Sequence, residues 1–214
     1  MDGDIDGDDD GIALSSSTDY EDILMKSESS IFAPADPAVE GPLAVTLLLL
    51  PDSSMMSLAS TLDPLRAANR VARRPLFSWR IVTTDGAPAT LTCGVPVPAE
   101  GRLDGDLEGD VLLVVAGFNQ ERHVGKQALA RLRAAARRFR ALGGIEAGSW
   151  LLARAGLLDG RAATTHWEDL EDFAARFPEV DLRPGRFVID GRVFTSGGAS
   201  PSFDLMLHLI RSRF

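Results

Sequence analysis

The chain has 214 residues, 45% of them apolar, 25% charged and 7% aromatic, with a formal net charge of −9. One cysteine excludes a disulfide framework and a cysteine-ligated zinc site. No apolar run reaches the roughly 20 residues of a membrane span, and the first residues are acidic, so a soluble cytoplasmic protein with no membrane partner is expected.

The charge divides unevenly. Residues 1–40 hold 12 Asp or Glu, six of them within Asp2–Asp10, against one Lys, a balance of −11. Residues 41–214 hold 19 acids against 21 bases, a balance of +2. The first stretch mixes acids with Gly, Ser and Pro and has little to bury, so residues 1–40 read as an acidic disordered leader, with Tyr20–Met25 its one short helix. Residues 41–214 read as one folded domain.

From Gly41 onward the pattern alternates strand and helix. Leu43–Leu50 is a continuous apolar run closed by Pro51-Asp52, as for a strand buried on both faces. Leu58–Arg73 repeats apolar residues at helical spacing, and Ser78–Thr84 and Leu91–Val97 read as strands around a turn at Asp85-Gly86. A Gly/Asp-rich loop, Gly101–Asp110, precedes the strand Val111–Ala116. Gln127–Leu142 reads as an amphipathic helix with Leu129, Leu132, Ala136 and Phe139 on its apolar face. A short strand Gly144–Glu146, a helix Gly148–Ala155, a strand Ala162–Thr165 and a helix Glu168–Phe177 capped near Thr165 or Trp167 follow. A hairpin, Arg186–Asp190 and Arg192–Thr195 around Gly191, leads to a last helix, Ser202–Ile210. This alternation implies a mainly parallel sheet with helices on both faces.

Ligands of such sheets bind beyond the carboxyl ends of the strands. The loops to inspect are Pro51–Ser57, Gly117–Gly125, Glu146–Ser149, His166–Trp167 and Ser196–Ser202. The most specific signal is Leu142-Gly-Gly-Ile-Glu-Ala-Gly-Ser-Trp150, a strand turning through Glu146-Ala147-Gly148 straight into a helix. That pattern describes a nucleophile elbow.

Gly144–Leu152, Ala163-Thr-Thr-His-Trp167 and Val193-Phe-Thr-Ser-Gly-Gly-Ala-Ser-Pro-Ser-Phe-Asp204 resemble the ThiJ/PfpI superfamily, related to class I glutamine amidotransferase domains. The segments Ser54–Ser60, Leu62–Asn69, Ala153–Gly160 and Thr164–Asp169 narrow the resemblance to the sensor domain of GlxA-type AraC-family transcriptional regulators, which include regulators of carnitine, glycine betaine and arginine catabolism. The likeness spans about Leu43 to Ile210. It implies a flavodoxin-like three-layer α/β sandwich, a small-molecule effector, a homodimer, no cofactor, and DNA contact only through a helix-turn-helix domain that this chain lacks.

The resemblance places Cys at the elbow of the enzymes, where this chain has Glu146, and a supporting carboxylate where this chain has Ser57. His166 is retained, and Gly117 stands at the oxyanion-type amide. A carboxylate does not replace a thiolate that must attack and then leave, so a non-catalytic receptor is expected. A helix N-terminus favours an anion, and Phe118, Trp150 and Trp167 offer aromatic faces for an ammonium. The expected ligand site is therefore Glu146, Ala147, His166, Gly117, Phe118, Ser57, Trp150 and Trp167, taking a cationic or zwitterionic nitrogen metabolite. The alternative is a hydrolase or glyoxalase-like enzyme using Glu146 and His166.

Blander roles stand beside these. Glu146 pairs with an arginine, His166 caps a helix, Trp150 and Trp167 pack in the core, and Phe118-Asn119-Gln120 only connects. Cys93 is expected to be passive in a strand, Met55-Met56 to lie under the first helix or else to line the pocket, and His123 and His208 to stand isolated. Lys126–Arg140, with six bases and no acid, reads as a solvated or dimer-contacting surface.

Overall fold

Long apolar runs interrupted by glycine-rich turns give a seven-stranded sheet in the order β10-β11-β7-β6-β1-β2-β5. The computed structural model describes residues 41–214, so the expected leader and its Tyr20–Met25 helix lie outside the described residues. The strands of this sheet are β1 (Leu43–Leu49), β2 (Phe77–Thr83), β5 (Gly101–Arg102), β6 (Gly109–Ala116), β7 (Phe139–Glu146), β10 (Phe187–Asp190) and β11 (Val193–Ser196). All neighbours pair in parallel except β10 with β11, the expected hairpin. The fold is the flavodoxin-like sandwich.

Period-two burial assigns the faces. Leu48, Leu112 and Val114 point into one core, with helices α3 (Lys126–Ala136) and α4 (Gly148–Arg154). Leu47, Leu49, Leu113 and Val115 point into the other, with α1 (Met55–Ala72) and α6 (Ala199–Arg213), which pack on each other. Three smaller helical pieces are α2 (Gln120–His123), a 3-10 turn at Trp167–Asp169, and α5 (Leu170–Arg176). Two short ribbons, β3 (Ala89–Thr90) with β4 (Pro96–Val97) and β8 (Ala162–Ala163) with β9 (Asp181–Leu182), complete the described residues.

Several expected boundaries move. The helix expected over Gln127–Leu142 stops at Ala136, and Phe139 instead opens β7 opposite Gly109. Helical spacing carries on through Phe139, but seven residue pairs with β6 outweigh it. Of the strand expected at Leu91–Val97 only Pro96-Val97 pairs, as β4 folding back on β3, because the chain turns at Gly94, whose φ is +81 and whose N–H donates to Leu91 O at 2.8 Å. The Gly101–Asp110 loop begins with the edge strand β5. The strand at Ala162–Thr165 keeps two residues, since Thr164 gives its N–H to Thr195 Oγ1 at 2.7 Å.

Packing in the centre of the sheet explains the Gly143-Gly144 pair. A Cβ on Gly143 would fall 2.3 Å from a Leu113 methyl and 2.4 Å from the Phe194 ring. One on Gly144 would lie 2.8 Å from the Ser149 amide nitrogen. These absences let α4 start directly against the sheet.

Candidate functional site

The elbow is built by backbone contacts. Glu146 closes β7 with φ +56, a left-handed conformation that a non-glycine residue adopts at a cost of roughly 1–2 kcal/mol. The turn is held by the Ala147 N–H, which donates to Ala116 O at 3.0 Å. Gly148 follows because its Cβ would stand 2.0 Å from Val114 O. The expected strand–turn–helix geometry is therefore present, with Ala147 buried and its amide already engaged.

Opposite the elbow, α1 begins after Ser54, whose side chain accepts the Met56 N–H at 3.2 Å. This cap points Ser57, fully buried, at the elbow, where its Oγ donates to Glu146 Oε2 in a short hydrogen bond. A hydroxyl from the first helix thus meets a carboxyl group at the elbow. No described arginine pairs with Glu146, so the arginine-pairing role does not hold among the described residues.

A chain of hydroxyls ties the elbow to the next loop. Ser149 Oγ lies 3.1 Å from Glu146 O and 2.9 Å from Thr165 Oγ1, placing the Thr165-His166 turn beside it. The His166 ring meets Phe118 edge-on at 5.3 Å and Trp167 at 5.7 Å, and its Cδ2 lies 3.7 Å from the Cβ position of Gly198. Phe118 is 51% exposed and Trp167 71%, so two aromatic faces are open to solvent around a partly buried imidazole. His166 also accepts the Glu168 N–H through Nδ1 at 3.4 Å, making it the cap that was expected at Thr165 or Trp167.

The two tryptophans separate. Trp167 does not enter the core. Trp150 does, 8% exposed, meeting Phe173 at 5.2 Å and Phe177 at 5.5 Å edge-on. Its Nε1 donates to Asp169 Oδ2 at 3.3 Å. Burial raises the Asp169 carboxyl above its ordinary range, and this hydrogen bond opposes the rise. Trp150 thus braces the 3-10 turn that carries His166 and Trp167, and its ring is committed to that cluster.

Gly117 leaves β6 against the first loop, and a Cβ there would be 2.3 Å from Asp52 O. Asp52, at φ +59, meets His123 Nε2 through Oδ2 at 2.8 Å. This pair went unread in the sequence because 71 residues separate its members. His123 is therefore not isolated. Beside it, Arg154 Nη1 donates to Gln120 Oε1 at 2.7 Å and Nη2 to Val124 O at 3.0 Å, fixing α2 over α4.

Two further expectations change at this rim. Met55 and Met56 are exposed in the first turn of α1, not buried under it. Cys93 is exposed in the β3–β4 turn, where Thr92 N–H donates to Ser53 O at 3.1 Å. Among the described residues no three His, Cys, Asp or Glu side chains converge as a metal site.

The DJ-1/PfpI family profile matches residues 45–212. The HTH-type transcriptional regulator CdhR of Pseudomonas aeruginosa is 44% identical over 163 residues, 76% of this chain and 48% of its own. A crystal structure of an AraC family transcriptional regulator from Pseudomonas putida is 30% identical, with a TM-score of 0.71 over 81% of this chain and 93% of that one. Isonitrile hydratase of Pseudomonas putida is 30% identical over 78% of this chain and 70% of its own length. The chain spans about half the length of the curated regulators it matches.

Proposed function

This chain belongs to the DJ-1/PfpI family, and from that premise we propose that it is the effector-sensing and dimerisation part of a GlxA-type AraC-family regulator. The observation that carries the reading is Glu146. A carboxyl side chain stands in the left-handed elbow and accepts the Ser57 hydroxyl, an arrangement with no thiol. Such a group accepts hydrogen bonds from an ammonium and does not form the thioester of a thiolate that must attack and then leave.

Around that side chain, Phe118 and Trp167 supply exposed aromatic faces, each worth roughly 0.5–2 kcal/mol toward an ammonium. The proposed contacts are Glu146, Ser57, His166, Phe118 and Trp167, with Gly117 and Ala147 shaping the backbone and Trp150 bracing the His166 turn from behind. The ligand class is a small cationic or zwitterionic nitrogen metabolite. Its binding would alter the pairing of two copies and so the placement of attached DNA-reading domains. The similarity to CdhR supports this reading.

Calorimetric titration with glycine betaine, carnitine and arginine tests it. We expect at least one to bind, and Glu146→Gln to weaken that binding at least tenfold. Binding unchanged by the substitution would remove Glu146 from the site. Sedimentation of the free and bound protein should show a dimer. The likeness to isonitrile hydratase favours one rival, an enzyme. Turnover of an isonitrile, an amide or an α-oxoaldehyde that disappears in Glu146→Ala would replace the sensor reading with that one.

A further inference from the structure

We propose that the acidic run Asp2–Asp10 docks on an arginine face at the amino ends of the central strands, opposite the candidate ligand site. The face is assembled from separate elements. Arg140 Nη1 lies 3.1 Å from Asp110 Oδ1, Arg138 Nη2 lies 3.4 Å from Glu108 Oε2, and Arg80 Nη2 donates to Glu108 O at 3.0 Å. Arg213 joins them: burial holds its guanidinium below the ordinary value, Arg140 adds to that and Asp110 opposes it. Two of these guanidinium groups thus pair with carboxylates, while Arg80 is held by a backbone carbonyl.

Further positive charge flanks this group. Arg73 and Arg74 follow α1, just before Leu76, whose carbonyl accepts the Leu43 N–H at 2.9 Å. Arg137 precedes Arg138 at the end of α3. Arg73, Arg74 and Arg137 are exposed and form no ion pair with a described residue. The C-terminal ends of α1, α3 and α6 all point here, so helix dipoles leave local carbonyls that attract the arginines and keep them at this end.

The occupant is indicated by charge and by the point of attachment. Residues 1–40 carry −11 while residues 41–214 carry +2. The described chain begins at Gly41, and Asp110 Oδ2 accepts the Ala44 N–H at 2.8 Å, the same carboxylate that holds Arg140. The acidic segment is therefore joined to the chain within this basic rim. About 30 residues separate Asp10 from Gly41, and a chain reaches up to about 3.3 Å per residue, so distance does not prevent contact. Being covalently attached, the segment competes at high effective concentration with any polyanion in solution. Its docking would screen the face from nucleic acid, whose binding to such a surface is sequence-independent and salt-sensitive.

Backbone amide NMR of the full chain tests the contact against a variant with Asp2, Asp4, Asp6, Asp8, Asp9 and Asp10 changed to Asn. In 50 mM salt the amides of residues 109–110 and 137–140 should differ between the two proteins, while those around Glu146 coincide. The differences should vanish in 500 mM salt and shrink in the full chain carrying Arg138→Gln and Arg140→Gln. Coincident spectra in 50 mM salt overturn the proposal. With a generic 20-base-pair duplex as probe, the Asn variant should bind at least fivefold more tightly than the full chain. Equal binding would make the face an open nucleic-acid surface and also overturn it.

Discussion

At the carboxyl ends of β1, β6 and β7 the chain is fixed by buried hydroxyls and by backbones in direct contact, whereas at the amino ends of the same strands exposed arginines and carboxylates share a solvated rim. Ser57, Ser149 and Thr165 are buried and each hydrogen-bonds across elements. The Arg138–Glu108 and Arg140–Asp110 pairs expose about half of each arginine. The first end has one workable geometry, and the second has many. A specific small ligand needs the former, and a diffuse polyanion is served by the latter.

The sharpest way to break this contrast is at Gly148. Gly148→Ala drives a Cβ against Val114 O, and we expect a loss of about 3 kcal/mol in the urea unfolding free energy. Gly125→Ala, where no atom lies within 4 Å, should change it little. A small effect at Gly148 would mean that the elbow relaxes and is not the rigid end of the sheet.

Ser57→Ala comes next. It strips a partly buried carboxylate of a hydroxyl donor, a hydrogen bond to charge worth about 1.5–3 kcal/mol. Because Glu146 retains some solvent access, the lower part of that range is expected in chemical denaturation.

His208 lies on α6 between the two ends, and a pH titration of stability reads it. Burial, with Arg211 second, holds it below its ordinary value of 6.5. Just below pH 6.5 the unfolded chain therefore takes up a proton that the folded chain refuses, so this group's contribution to stability falls as pH drops toward the folded value. Asp169 has the opposite sign: its raised folded value adds stability as pH falls through it toward 3.8. His208→Gln should flatten the slope just below pH 6.5, and Asp169→Asn the one at lower pH.

The smallest effect is expected at the amino rim. Arg138→Gln should shift the unfolding free energy by less than about 0.5 kcal/mol, since an exposed pair contributes little. A loss comparable to that of Ser57→Ala would erase the distinction between the two ends.

Much of this was legible in residue order. The run Leu43–Leu50 announced a strand buried on both faces, and the Gly-Gly-Ile-Glu-Ala-Gly pattern announced the elbow, because only small residues permit those approaches. The helix expected through Phe139 failed because one residue fits both a helical stripe and a strand start, and only pairing with β6 decides between them. The aromatic residues divide in the same way. Nothing in their sequence neighbourhoods says that Trp150 packs against Phe173 while Trp167 faces water.

By itself, then, the sequence determined the layered α/β architecture, the acidic first 40 residues and the carboxylate at the elbow, since periodicity, charge and glycine spacing act locally. Tertiary structure alone decided that the Ser57 hydroxyl is given to Glu146 Oε2, that Asp52 meets His123, and that arginines from β2, β7 and the turn after α3 collect at one end. Such pairs depend on strand order and register, which bring distant residues within hydrogen-bonding distance and leave no mark on the intervening chain.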